Sequence, residues 1–158
     1  MSDSIRIWVE FCHSSAYRSG GWAFVRAEGR ALTGAAGGER TASPEAIALA
    51  GLLAAFKDLP PSAAVEVMST LPGIYGAGRR ITELETGGEA DTEDLARWAQ
   101  LSAVVKARPV KFALAMNAPR TPTAFATAWA ELAQDKAKTR PFNAAIPKAN
   151  LVKAGVPD

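Results

Sequence analysis

Residues 5 to 11 alternate without a break, with Ile5, Ile7, Val9 and Phe11 on one side and Arg6, Trp8 and Glu10 on the other. A period of two is the mark of a strand with one face turned to an apolar core, so this segment predicts a strand from Ile5 to Phe11. The chain then breaks at Ser19-Gly20-Gly21 and resumes as two further runs, Trp22 to Ala27 and Arg30 to Ala35, on either side of the turn-forming pair Glu28-Gly29. Three strands joined this closely predict an antiparallel meander.

The period changes at Ser43. A serine that can cap a helix is followed by Pro44 at the first helical position, then by Leu49, Leu52, Leu53 and Phe56 at helical spacing. This predicts a helix from Pro44 to Lys57, ended by Pro60-Pro61. Val65 to Thr70 is short and mostly apolar, as strands inside a sheet are. Gly73 to Glu85 reads as one loosely wound helix interrupted by Gly76 and Gly78. A firmer helix runs from Asp94 to Lys106, with Leu95, Trp98, Ser102 and Val105 on a stripe and Leu101 beside it. Val110 to Met116 is a strand. Thr121-Pro122 repeats the cap-plus-proline start, and Phe125, Trp129 and Leu132 line one face of a helix to about Ala137. From Thr139 onward there are prolines and no periodicity, which predicts an extended or disordered basic tail over 139–158 after one domain over 1–138.

The chain has 158 residues, of which 48% are hydrophobic and 22% charged, enough for one domain with a real core. Cys12 is the one cysteine and His13 the one histidine, so neither an internal disulfide nor a clustered zinc site can form. As neighbours on a strand the two point to opposite faces, which argues against a nucleophile pair. No secretory leader and no apolar run near the roughly 20 residues of a membrane span are present, and a cytoplasmic protein with no membrane partner is expected. A net charge of +2 neither demands nor excludes nucleic acid. The stretch GIYGAG lacks the lysine and spacing of a phosphate loop.

Several local sequences resemble the ribonuclease H family in the right order, over roughly Ile5 to Ala137. IRIWVEFCHSSAYRSGGWAF is similar to the family's opening strand, loop and Gly-Gly-aromatic second strand, with Glu10 at the first catalytic carboxylate position. TASPEAIALAGLLAAF resembles the first helix, with Glu45 at the second. VEVMSTL resembles the fourth strand, where the family reads Ser-Thr-Asp and this chain has Leu71. FALAMNAPRTP is similar to the fifth strand and its loop, with Asn117 where active members usually carry a histidine. WAELA resembles the last helix, with Ala130 at the fourth carboxylate.

The resemblance implies an α/β ribonuclease-H-like fold: a mixed five-stranded sheet, three strands antiparallel and two parallel, with helices on both faces. It also implies hydrolysis of RNA in an RNA/DNA hybrid by two divalent cations, which need several converging carboxylates. Leucine and alanine offer no ligand atoms. Only Glu10 and Glu45 remain, so the reading is a catalytically inactive ribonuclease-H-like protein kept as a binding or scaffold domain. A ribonuclease-H-type endonuclease with a remodelled site and a non-catalytic nucleic-acid-binding protein are the alternatives. No cofactor is expected beyond weak binding of Mg²⁺ or Mn²⁺ at Glu10 and Glu45. By their own chemistry, Glu10 reads as a partly exposed acid paired with a cation, and Glu45 as a first-turn acid favoured by the helix dipole.

Arg18, Thr41 and Ser43 are the candidate nucleic-acid or partner contacts. The partner is an RNA/DNA hybrid or an unidentified protein. The segment from Arg79 to Trp98, with six acids against three arginines, predicts an acidic surface that favours protein. The basic tail, with Arg140, Lys148 and Lys153, suits phosphates or acidic partners.

Overall fold

The computed structural model describes residues 4–60, 62–88 and 92–157, apart from the side chains of Thr92 and Glu93. Glu89 and Asp91 of the acidic segment lie outside the described residues.

The meander forms from strands β1 (Ile5–Ser14), β2 (Ser19–Glu28) and β3 (Ala31–Arg40), each longer than its apolar run predicts. β1 and β2 pair from Arg6↔Ala27 out to Ser14↔Ser19, so Gly20 and Gly21 belong to the strand and do not break it. A methyl group at Gly21 would fall 2.1 Å from the Ala130 carbonyl oxygen, so glycine is what lets a helix lie this close to the sheet.

Helix α1 (Pro44–Phe56) starts at Ser43, whose hydroxyl accepts from the Ala46 N–H. It is buried nearly all round, as a helix apolar on every side must be. Strand β4 (Val65–Ser69) follows. The loosely wound stretch resolves into two helices, α2 (Pro72–Tyr75) and α3 (Ala77–Glu85), meeting at Gly76. Next come α4 (Thr92–Lys106), β5 (Val110–Leu114) and α5 (Pro122–Ala137), the last capped by Thr121.

The sheet has six strands, not five, in the order β5-β4-β1-β2-β3-β6. The sixth, β6 (Phe142–Ala145), and a short helix α6 (Lys148–Leu151) come from the segment expected to be an extended or disordered tail. β6 pairs antiparallel with β3, and Ile146, Leu151 and Ala154 are buried against Trp8, Val25 and Ala27. Its apolar residues are too widely spaced to show a period, but a waiting sheet edge and an uncovered tryptophan give them a place. β4 and β5 run parallel to β1, as expected of the other half of the sheet.

Two layers cover the sheet. Ile5, Ile7 and Val9 join Trp22, Phe24, Ile47, Leu49, Leu52, Trp98 and Leu101 in the core under α1 and α4. On the opposite face Trp8 lies under the C-terminal segment, with Phe125 and Trp129 half-buried beside it. α5 buries Ala126, Ala130, Ala133 and Ala137, while Leu132, expected on the core face, is exposed. Of the predicted stripe, Phe125 and Trp129 pack against the core around Trp8 and Leu132 does not; beside them a row of alanines lies on the sheet, where Gly21 and Gly38 allow close backbone approach.

Candidate functional site

Glu10 lies midway along β1 on the α5 face and is 1% exposed. The sequence reading had it partly exposed beside a cation. Instead its oxygens are taken by uncharged donors. Ser69 and Thr70 each donate a hydroxyl hydrogen bond, the Thr70 N–H donates at 3.0 Å, and the Thr127 hydroxyl approaches to 3.5 Å. The end of β4 and the second turn of α5 therefore meet at one carboxyl group. A buried carboxyl needs such partners, and the local sequence Ser69-Thr70 supplies them where β4 ends beside the middle of β1.

Leu71 follows directly. Its N–H donates to Ser69 Oγ at 3.1 Å, and its side chain packs against the apolar core below α1. Ala130 is fully buried in a cluster with Ala23, Ala36, Ala126 and Ala133, and its carbonyl oxygen accepts from the Cys12 thiol at 3.3 Å. The α5 residue that reaches Glu10 is Thr127, one turn earlier. Asn117 is exposed in the β5–α5 connection.

Glu45 lies apart from this network. It sits in the first turn of α1, 3.8 Å from Arg80 of α3, and lines a cavity of about 380 Å³ with Phe11, Pro44, Pro72 and Trp98. Burial pushes its carboxyl above the ordinary range; Asp94, within hydrogen-bonding reach, pushes the same way, against Arg80 and the Trp98 indole. Glu10 and Glu45 share no hydrogen-bond or ion-pair partner among the described residues. Asp94 was missed by sequence reasoning, which counted it as surface acidity. It is 4% exposed. Nothing local distinguishes it from other first-turn acids, so only the packing of α4 on α1 identifies it.

Two further acids of the segment are paired among the described residues. Glu83 pairs with Arg79 and Arg80, and Glu85 with Lys106 at 2.6 Å. Arg79 and Arg80 already stand in the sequence count, so Lys106 is the one cation these pairs add to it.

Arg18, Thr41 and Ser43 do come together, at the open end of the meander. The Ala42 N–H donates to the Arg18 carbonyl at 3.2 Å, and His13 Nε2 contacts the Ala42 carbonyl at 2.6 Å. All three side chains are exposed. Arg18 and Thr41 both hold left-handed backbone, φ 50° and 54°, which non-glycine residues adopt at an energetic cost. Cys12 faces away from His13, and burial pushes its thiol up, away from reactivity.

Two divalent cations need several anionic oxygens free to converge on them. The donor set here does not fit: Glu10 is saturated by hydroxyls, Glu45 is held by Asp94 and Arg80, and no group of three or more metal-ligating side chains gathers among the described residues.

With strand order, helix placement and the Glu10 end of the sheet in view, the chain is a ribonuclease-H-like α/β domain. Its likeness to solved structures is to RNase H domains. LC9-RNase H1, a type 1 RNase H with the type 2 active-site motif, superposes with a TM-score of 0.72 at 12% identity, over 98% of this chain and 86% of that one. The N-terminal RNase H domain of a Mycobacterium tuberculosis protein gives 0.61 at 17% identity, over 87% and 98%. LC11-RNase H1, solved in complex with an RNA/DNA hybrid, gives 0.58 at 18%, over 85% and 99%. No family model and no curated protein matches the sequence. No helix among the described residues is long and apolar enough to cross a membrane.

Proposed function

We propose that this chain is a catalytically silent ribonuclease-H-like domain that acts by binding nucleic acid. The observation that carries the first half is the state of Glu10. In a two-cation hydrolase the carboxylates must present lone pairs to metal, and their mutual repulsion is relieved only when metal arrives. At Glu10 lone pairs are already used by the Ser69 and Thr70 hydroxyls and the Thr70 N–H. Leu71 and Thr127 occupy the neighbouring positions and bring no negative charge.

The second half rests on the rim of Arg18, Thr41 and Ser43, where among the described residues Arg18 makes no ion pair and both Arg18 and Thr41 hold strained backbone at the same end of the sheet. Strain of this kind is retained where the surface is used. Lys106, paired with Glu85, reduces the excess of acid that favours a protein partner over phosphates. The hybrid found with LC11-RNase H1 supports a hybrid as the first ligand to try.

Purified protein is expected to cleave an RNA/DNA hybrid in Mg²⁺ or Mn²⁺ no faster than its Glu10→Gln variant, while retarding the same hybrid in a gel-shift assay. Arg18→Glu is expected to weaken that retardation. Cleavage abolished by Glu10→Gln would falsify the silent reading and restore the remodelled endonuclease.

A further inference from the structure

The C-terminal segment, once folded back onto β3, brings cations from separate parts of the chain onto one surface. β6 pairs with β3 through Phe142↔Gly38, while Arg40 Nη1 donates to the Thr139 carbonyl at 3.2 Å. Arg40 pairs across the sheet with Ser19, next to Arg18 in the β1–β2 turn. From the end of α5, Lys138 Nζ lies 4.5 Å from the centre of the Tyr17 ring in that same turn, and Lys136 Nζ lies 5.7 Å from the Phe142 ring. Lys136, Thr139, Arg140 and Phe142 line a surface depression of about 490 Å³.

Among the described residues Arg18, Arg40, Lys136 and Arg140 make no ion pair, and the acids beside them, Glu39 and Asp135, are held by Arg97 and Lys138. A favourable helix dipole explains one cation in the last turn of α5. It does not explain Arg40 on β3 and Arg140 in the α5–β6 connection, nor a tyrosine left 65% exposed near them.

Cationic groups tracking a backbone, interleaved with aromatic rings on which bases can stack, are the equipment for holding a single nucleic-acid strand without regard to sequence. An acidic protein would be served by the charges alone and would not use the rings. We infer that the strip of Arg40, Lys136, Lys138 and Arg140, with Tyr17 and Phe142, is a single-strand nucleic-acid site that continues away from the Arg18 rim and is separate from the Glu10 end of the sheet. This extends the binding reading above to a second surface.

The test uses the full chain, a labelled mixed-sequence DNA single strand, an RNA/DNA hybrid and a polyglutamate peptide, with affinities read by fluorescence anisotropy over a range of salt. The double variant Lys136→Glu/Arg140→Glu is expected to weaken single-strand binding by tenfold or more and to flatten its log affinity against log salt slope by about 1.4, the loss of two phosphate contacts on a single strand. Tyr17→Ala is expected to weaken it several-fold without changing that slope. If charge reversal unfolds the chain by circular dichroism, Lys136→Gln/Arg140→Gln carries the same expectation at smaller size.

Single-strand binding untouched by these variants overturns the inference. So does polyglutamate binding that depends on the strip while Tyr17→Ala has no effect, because the surface then serves acidic protein. Loss of hybrid binding in Arg18→Glu alone, with single-strand affinity kept, supports two separable surfaces. Single-strand binding through the strip with no hybrid binding at all leaves this inference standing and removes the hybrid ligand.

Discussion

A buried carboxyl group is tolerated when its oxygens are hydrogen-bonded, and at Glu10 that condition is met by Ser69 and Thr70. This gives the site a stability signature. Removing one member of a metal-binding carboxylate cluster relieves repulsion and tends to stabilise the metal-free protein. Glu10→Ala should do the opposite, lowering stability by about 3 kcal/mol as buried donors lose their acceptor, with a smaller loss for Glu10→Gln. Urea unfolding of the two variants measures it, and a stabilised Glu10→Ala would point back to a strained catalytic acid.

Glu45 gives a pH prediction. Its carboxyl is raised above 4.5, so the fold favours the protonated form; that contribution is complete below 4.5 and is lost as pH rises through the folded value. Glu45→Gln keeps the shape without the charge. Its melting temperature relative to the native chain should therefore climb with pH above 4.5 and then level off, which melting curves across the acid range will check. A decline would mean that the Arg80 pair outweighs burial and Asp94. The alternation of β1 put Glu10 and Trp8 on one face in the sequence. Their burial came from α5 and the C-terminal segment, which no local pattern announces.

At the scale of elements, α5 shows why a stripe of large residues can mislead. Phe125, Trp129 and Leu132 have the spacing of a buried face, yet the helix seats itself on alanines because glycines in β2 and β3 allow its backbone to come close. Ala130→Asp should consequently be badly tolerated, forcing a carboxylate into a fully buried position, at a penalty of several kcal/mol. Thr127→Asp should be milder for packing, since Thr127 is only half-buried. Thermal melts of the pair test whether the site position on α5 is Thr127 or Ala130. A more stable Ala130→Asp would place the helix one turn from where it is described. In α6, Leu151 is 2% exposed, and Leu151→Ala should cost about 2–5 kcal/mol by denaturant unfolding, as for other core leucines. Those figures separate a docked helix from a loose tail.

In the whole molecule the C-terminal segment completes the second core. A chain ended at Thr139 would leave Trp8, Val25 and Ala27 facing water and β3 as an open edge. It is expected to lose the near-ultraviolet circular dichroism of packed aromatics and to unfold without a sharp transition. A sharp native-like transition would show that one domain ends before β6.

The sequence by itself determined the meander, the capped starts of α1 and α5, the ribonuclease-H-like order of elements and the absence of acidic residues at Leu71 and Ala130. These are written in nearest-neighbour chemistry: side-chain period, capping residues and residue identity. Only the tertiary structure decided that Glu10 is saturated by hydroxyls, that Asp94 is buried beside Glu45, and that the last residues add a strand and carry their cations to Arg18 and Tyr17. Each of these depends on groups brought together from far apart in the chain, where hydrogen bonding and burial are set by which elements pack and not by the residues beside them.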